Sequence, residues 1–188
     1  MDLKTAETRL LDVAEELFYE RGVRAVGMDD IRAASGVSLK RLYQVFPAKE
    51  RLVEAVLERR SNRGMAELVR FANSFPTPRD QILGVFDYLY KRGTEPGFRG
   101  CAFINSFGEM GGVSEPVADI ARGNKLGLRE YLGDLVAAAG LPAPLTDQLV
   151  VLANGAMSTA GILNSPEPAI HAKNAAAVLL DAATTNLR

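Results

Sequence analysis

Residues 36–50 read GVSLKRLYQVFPAKE. Ser38 is an N-cap residue, able to accept from the unpaired backbone N–H groups that open a helix, and Pro47 cannot continue one. The spacing therefore predicts a short helix over 38–46. Just upstream, Met28, Ile31 and Ala34 recur at helical spacing and stop at Ser35-Gly36, where glycine suits a helix end. Two short helices are expected to meet at a tight glycine turn. With about 100° between successive residues, Leu42 and Phe46 point one way from the second helix, while Lys40, Arg41, Tyr43 and Gln44 spread over the other side. Half of this helix is anchor and half is display.

The displayed side chains are of the kinds that read nucleic acid. Arg or Lys suits guanine O6 and N7, Gln suits adenine N6 and N7, and Tyr reaches phosphate oxygens. Leu39 sits at the margin, positioned to touch a thymine methyl or to pack inward. Residues 38–51 hold Lys40, Arg41, Lys49 and Arg51 against Glu50 alone. Residues 1–50 as a whole hold eight basic and nine acidic groups. The positive field is thus confined to one edge, which suits insertion into a groove flanked by a few phosphate contacts.

The rest of the chain agrees with an all-helical protein. Apolar residues recur at helical spacing almost throughout, and alternating β-branched runs between Gly or Asn turns are missing. Leu10, Leu11, Ala14, Leu17 and Phe18 form the stripe of a first helix over about 5–21, closed by Arg21-Gly22. A long amphipathic helix is expected over 48–74, with Leu52, Val53, Val56, Leu57, Leu68 and Phe71 as its apolar positions. Thr77-Pro78-Arg79-Asp80 starts another over 78–92. Further helices are expected near 101–110, 116–139, 145–163 and 168–186, about nine in all.

The length of 188 residues and an apolar share of 47% suffice for one or two small domains with a buried core. Twenty-two basic residues against 23 acidic ones exclude a general polycation mode of binding. No apolar run approaches the roughly 20 residues that span a bilayer, and the start lacks the order of a signal peptide, so a cytoplasmic protein without membrane contact is expected. Cys101 is the only cysteine and His171 the only histidine, and neither has the spacing of a metal site. No cofactor is expected. Only Arg99 stands beside Cys101 in sequence to activate it, so a packed thiol is the expectation and a redox sensor the rival.

The segment RLLDVAEELFYERGVRAVGMDDIRAASGVSLKRLYQVFPAKERLVEAVL, roughly residues 8–57, resembles the DNA-binding head of the TetR family of bacterial transcriptional regulators. The most specific part is GVSxxxLYxxFxxKExL, carried here by Gly36, Val37, Ser38, Leu42, Tyr43, Phe46, Lys49, Glu50 and Leu52. Many separate positions agree in one register, which a chance GVS does not produce. The resemblance makes 28–34 the supporting helix and 38–45 the recognition helix. It implies that Ser38, Leu39, Lys40, Arg41, Tyr43 and Gln44 serve DNA binding, with Tyr43 and Lys49 on phosphates. Two departures stand out: Gly27 where the family commonly has Ser or Thr, and Ala48 where it has a small polar cap. One hydroxyl contact to phosphate and about 1 kcal/mol of capping are expected to be missing.

The resemblance also divides the chain, with a helix-turn-helix domain over 1–50 and a helical ligand-binding and dimerisation domain over 51–188. The second half has no basic patch, and GCAFINSF at 100–107 is similar to a segment that opens the sixth helix in one large subgroup. Phe86, Tyr90, Phe103, Phe107, Met110 and Met157 are candidates for the wall of a ligand chamber. Asn105 and Asn154, with Ser106 and Ser158, interrupt apolar stretches, and a buried amide or hydroxyl must find a partner. A mostly apolar small-molecule effector held by one or two hydrogen bonds is the expectation. Small residues crowd the last two helices, among them Ala153, Gly155, Ala156, Ala160 and Gly161, then Ala169, Ala172, Ala176 and Ala183. Packing within the chain and packing against a second copy explain them equally well, and the resemblance favours a homodimer. A two-fold dimer reads double-stranded DNA as an inverted repeat, with half-sites about 34–36 Å apart.

The expected function is that of a repressor released from its operator by ligand. A DNA-binding regulator that answers to a protein partner is the alternative. A helical enzyme is disfavoured, since no Ser/His/Asp set, phosphate-cradling glycine motif or metal-ligand cluster is present.

Overall fold

The computed structural model describes residues 1–185. Nine α-helices and no strand occur among the described residues: α1 (Leu3–Arg21), α2 (Met28–Ser35), α3 (Leu39–Val45), α4 (Lys49–Ala72), α5 (Pro78–Gly93), α6 (Ala102–Met110), α7 (Glu115–Ala138), α8 (Leu145–Leu163) and α9 (Glu167–Thr185). Each was legible from its pattern to within a few residues. The last residue of the helix expected over 168–186 lies outside the described residues.

Caps explain most of the boundaries. Asp2 accepts from the Thr5 N–H at 2.8 Å to open α1, Ser38 from Arg41 at 3.4 Å to open α3, and Thr77 from Asp80 at 3.1 Å to open α5. Gly22, at φ +90°, and Gly36, at φ +64°, end α1 and α2, each returning its N–H to the last turn.

The chain folds as two compact units, residues 1–62 with 102–122 and residues 63–101 with 123–188. The division runs inside α4 and α7. In the first unit α1 packs on both α2 and α3. The buried positions are the expected stripe of α1 with Val23, Val26, Ile31, Val37, Leu42, Phe46, Leu52 and Val53. Ala34 differs from expectation: it is exposed, and the inward position of α2 is Ser35. The Ser35 hydroxyl donates to the Arg32 carbonyl and accepts from the Val37 N–H, both at 3.3 Å, so it is satisfied within the glycine turn.

In the second unit α8 packs on α9, and α5 packs on both. Phe86, Ile82, Val85, Leu132, Leu149, Ala176 and Leu180 are fully buried there, joined by Leu68 and Ala72 from the end of α4. Ion pairs stitch the rim: Lys173 to Asp87 at 2.7 Å between α9 and α5, and Arg129 to Asp147 at 2.7 Å between α7 and α8. No helix of the described residues is long and apolar enough to cross a membrane.

Candidate functional site

The display side of α3 is built by burying its other side. Leu42 is fully buried and Phe46 nearly so, which anchors the helix to the head. Ser38, Leu39, Lys40, Tyr43 and Gln44 are exposed as a result, and Arg41 is half-buried. Leu39 and Tyr43, at 49% and 47% exposure, are large apolar groups facing water. Arg41 Nη1 donates to Gln44 Oε1 at 3.3 Å, one turn along, so the two base-reading candidates are already aligned on one edge.

Lys49 is half-buried at the first residue of α4. A cation there opposes the helix dipole unless an anion lies beyond it, and a phosphate satisfies both the ammonium and the unpaired N–H groups of that turn. Arg51, counted above toward the local positive charge, is paired with Glu54 at 2.8 Å, which lowers its share of the free field. At the Gly27 departure, Asp30 Oδ2 accepts from the Gly27 N–H at 2.8 Å, so the entry to α2 is held by a side chain one turn on.

The chamber candidates separate. Phe86 is fully buried in the second unit, and Tyr90 and Met157 pack against the same core. Asn154 is half-buried there, with its amide donating to the Val150 carbonyl at 3.0 Å. Phe103, Asn105, Phe107 and Met110 lie on α6 in the first unit. Phe103 is buried, Met110 is half-buried, Asn105 is exposed, and Phe107 is 52% exposed with its ring over Gly111. The expectation that Asn105 is a buried amide in an apolar stretch is thus corrected: the outward side of α6 carries it, because Phe103 and Ser106 take the inward positions. A cleft of about 320 Å³ in the second unit is lined by Arg129, Gly133, Val136, Leu141, Ala143 and Thr146 among others, and includes none of the eight candidates.

Three features escaped sequence reasoning. The Cys101 thiol is buried and accepts from Lys125 Nζ at 3.1 Å, so a cation beside it comes from α7. Glu15, in the apolar stripe of α1, is buried between Arg59 and Arg60 at 2.9 and 3.1 Å. A carboxylate at a stripe position was the available signal. Glu109 on α6 accepts from the Arg24 N–H at 2.8 Å across 85 residues, for which no sequence signal exists. Among the described residues no three His, Cys, Asp or Glu side chains gather as metal ligands.

A small three-helix head that turns its second short helix outward, with Lys40, Tyr43 and Gln44 in water, defines the class: a helix-turn-helix DNA-binding protein. Residues 10–56 match the profile of the bacterial regulatory proteins of the tetR family. The crystal structure of a tetR transcriptional regulator from Streptomyces avermitilis superposes with a TM-score of 0.84 at 30% identity, covering 95% of this chain and 98% of that one. An HTH-type transcriptional regulator of Mycobacterium tuberculosis is 31% identical over 122 residues, which span 62% of this chain and only 59% of that relative. The transcriptional repressor KstR2 of Rhodococcus jostii is 46% identical over 50 residues, 27% of this chain and 24% of its own length. The chain belongs to the TetR family of transcriptional regulators, whose members bind DNA.

Proposed function

We propose that the protein is a homodimeric, cytoplasmic repressor that holds an inverted-repeat operator and leaves it when a small, mostly apolar ligand enters the second domain. The observation that carries this reading is the outward side of α3, where Lys40, Tyr43 and Gln44 stand in water beside Arg41 while Leu42 and Phe46 hold the helix from behind. In this reading residues 1–50 bind DNA through Ser38, Leu39, Lys40, Arg41, Tyr43, Gln44 and Lys49, and 51–188 bind ligand and the second subunit.

Dimerisation through α8 and α9 is supported by four exposed apolar side chains on those helices: Val151 at 71%, Ile162 at 83%, Leu163 at 63% and Val178 at 67%. The mixture with small residues lets a second pair of helices approach closely. Ligand binding in the second domain is supported by the half-buried Tyr90, Met157 and Asn154 around the Phe86 core. The head is as similar to that of an activator as to that of a repressor, so the sign of control rests on the gene deletion below. A ligand that binds one spacing of the two heads about 100-fold better shifts the equilibrium by about 2.7 kcal/mol, enough to release an operator.

Selection of binding sites from random duplexes tests the reading. An enriched inverted repeat with half-sites about one helical turn apart is the expected result, and uniform salt-sensitive retention without a motif refutes it. Deletion of the gene is expected to raise transcription beside the selected site; a fall would make the protein an activator. Once an effector is in hand, Asn105→Leu and Asn154→Leu test the chamber, and an intact ligand response in both removes these residues from it.

A further inference from the structure

We propose that the cleft between the end of α7 and the start of α8 is a binding site for a small organic cation, an ammonium carried on an apolar body. The inference stands apart from the operator reading and from the chamber expected around Phe86. The cleft has a volume of about 320 Å³ and lies wholly within the second unit. That volume is at the lower end for small-molecule sites. Its wall holds a buried hydroxyl without a partner. Thr146 is only 5% exposed, and its backbone N–H reaches the Ala143 carbonyl at 3.0 Å, yet its hydroxyl makes no hydrogen bond with any described residue. Burying a hydroxyl in this way costs free energy, and valine would fill the same space without that cost. Thr146 Oγ1 faces Gly133 on α7, where a Cβ would stand 3.8 Å away, so the absent side chain leaves room beside the hydroxyl for a ligand atom. Val136 and Leu141 supply an apolar wall.

The charges around the cleft select the ligand. Arg129 Nε and Nη2 donate to the two carboxylate oxygens of Asp147 at 2.7 and 3.3 Å, so the cation of the lining is already used. Glu130 and Asp134, also on the lining, form no ion pair with any described residue. They are four residues apart on α7, where like charges are neighbours and repel. The last turn of α7 carries no basic residue, and its partial negative charge falls at the end of the cleft lined by Val136 and Ala137. A cation seated here relieves both. An anion finds no match, because the first N–H groups of α8, on Leu145 and Thr146, already reach the Pro142 and Ala143 carbonyls. The cleft is also distinct from the exposed apolar side of α8. Thr146 and Val151 are five residues apart, which places them about 140° from each other around the helix.

The test uses the full-length protein and three probes of similar shape, phenethylammonium, phenethyl alcohol and hydrocinnamate, titrated by calorimetry with melting followed in parallel. The ammonium is expected to bind saturably in about the millimolar range, as suits so few atoms, with the alcohol about tenfold weaker and the carboxylate weaker still. Gly133→Ala sets a methyl at ordinary contact distance from the Thr146 side chain and improves helix propensity. It is therefore expected to keep or raise Tm while weakening the ammonium about tenfold. Thr146→Val is expected to keep Tm and weaken the ammonium about threefold or more. Glu130→Gln combined with Asp134→Asn is expected to remove the preference for the ammonium over the alcohol. Should Thr146→Val fail to fold, Gly133→Ala and the double variant carry the test. The proposal is overturned by an ammonium that does not saturate at about ten times the expected concentration, or by a carboxylate that binds equally well. Binding unchanged in both Gly133→Ala and the double variant overturns it too, since the probe then sits elsewhere, the Phe86 chamber included. None of these outcomes touches the selection of duplexes, so the operator reading stands or falls separately.

Discussion

Replacing Glu15 by leucine should destabilise the protein by about 2–4 kcal/mol, although the site lies on an apolar stripe where leucine has the expected polarity. Both carboxylate oxygens are used: Oε2 accepts from Arg59 Nη2 at 2.9 Å and Oε1 from Arg60 Nη1 at 3.1 Å. Glu15 is 8% exposed, whereas the Arg59 and Arg60 side chains keep 28% and 16%. Burial works to lower the Arg59 pKa, and the hydrogen bonds it donates to Glu15 and Asp12 outweigh it and raise it, so the ion pairs dominate at this site. Two charge-assisted hydrogen bonds at about 1.5–3 kcal/mol each set the upper limit. The partial exposure of both guanidinium groups reduces that figure, as do the partners that survive, Asp12 at 2.7 Å from Arg59 and the Tyr19 ring 4.2 Å from Arg60. The chain has no tryptophan, so melting is best followed by circular dichroism at the helical band. A loss of about 5–12 °C in Tm is expected for a protein of this size. Replacing Arg59 and Arg60 by methionine in the same background should recover most of it, because the cost arises from stranded charge rather than lost volume. A shift below about 1 °C for Glu15→Leu, or no recovery in the triple variant, would refute this account.

Arg41→Ala should relax specificity at one base pair of each half-site and cost about 1–3 kcal/mol, whereas Lys49→Ala should weaken all sequences alike and reduce the salt slope; quantitative binding to single-substitution duplexes separates them. Burial beside the Phe71 ring, with a hydrogen bond to Glu67 at 3.3 Å, pushes the Tyr88 hydroxyl up to about 12. Because the folded pKa is raised above the ordinary value of 10, its contribution is intact below pH 10 and is lost as pH rises toward 12, by at most about 3 kcal/mol. Tyr88→Phe should flatten that part of an alkaline stability profile relative to the wild type. Gly161→Ala should destabilise by about 1–3 kcal/mol in urea titrations despite the better helix propensity of alanine, because the new methyl meets the Gly100 backbone rather than a movable side chain. Cys101, 7% exposed, should react with a bulky thiol reagent far more slowly in the folded protein than in denaturant. If alkylation of the folded protein is fast and abolishes operator binding, the packed-thiol expectation is wrong.

Residues 28–50 determined the helix-turn-helix, because every signal in them is local. Ser38 caps one turn ahead, Gly36 ends the preceding helix where only a left-handed residue fits, and Leu42 and Phe46 lie one turn apart on the same side. The remaining helices were legible for the same reason, since the 3.6-residue period and the caps act within a few residues of each other. Ala34 and Ser35 mark where this logic stopped. The period allowed either to face inward, and only the neighbouring turn, in which the Ser35 hydroxyl is satisfied twice, selected the serine. The long-range features belong to the tertiary structure alone. Glu109 meets Arg24 across 85 residues, Lys125 meets Cys101 across 24, and Glu15 meets Arg59 and Arg60 across 44 and 45. The side on which Asn105 and Phe107 stand was decided there too, since a short helix with apolar residues nearly all round has no inward direction until its neighbours provide one.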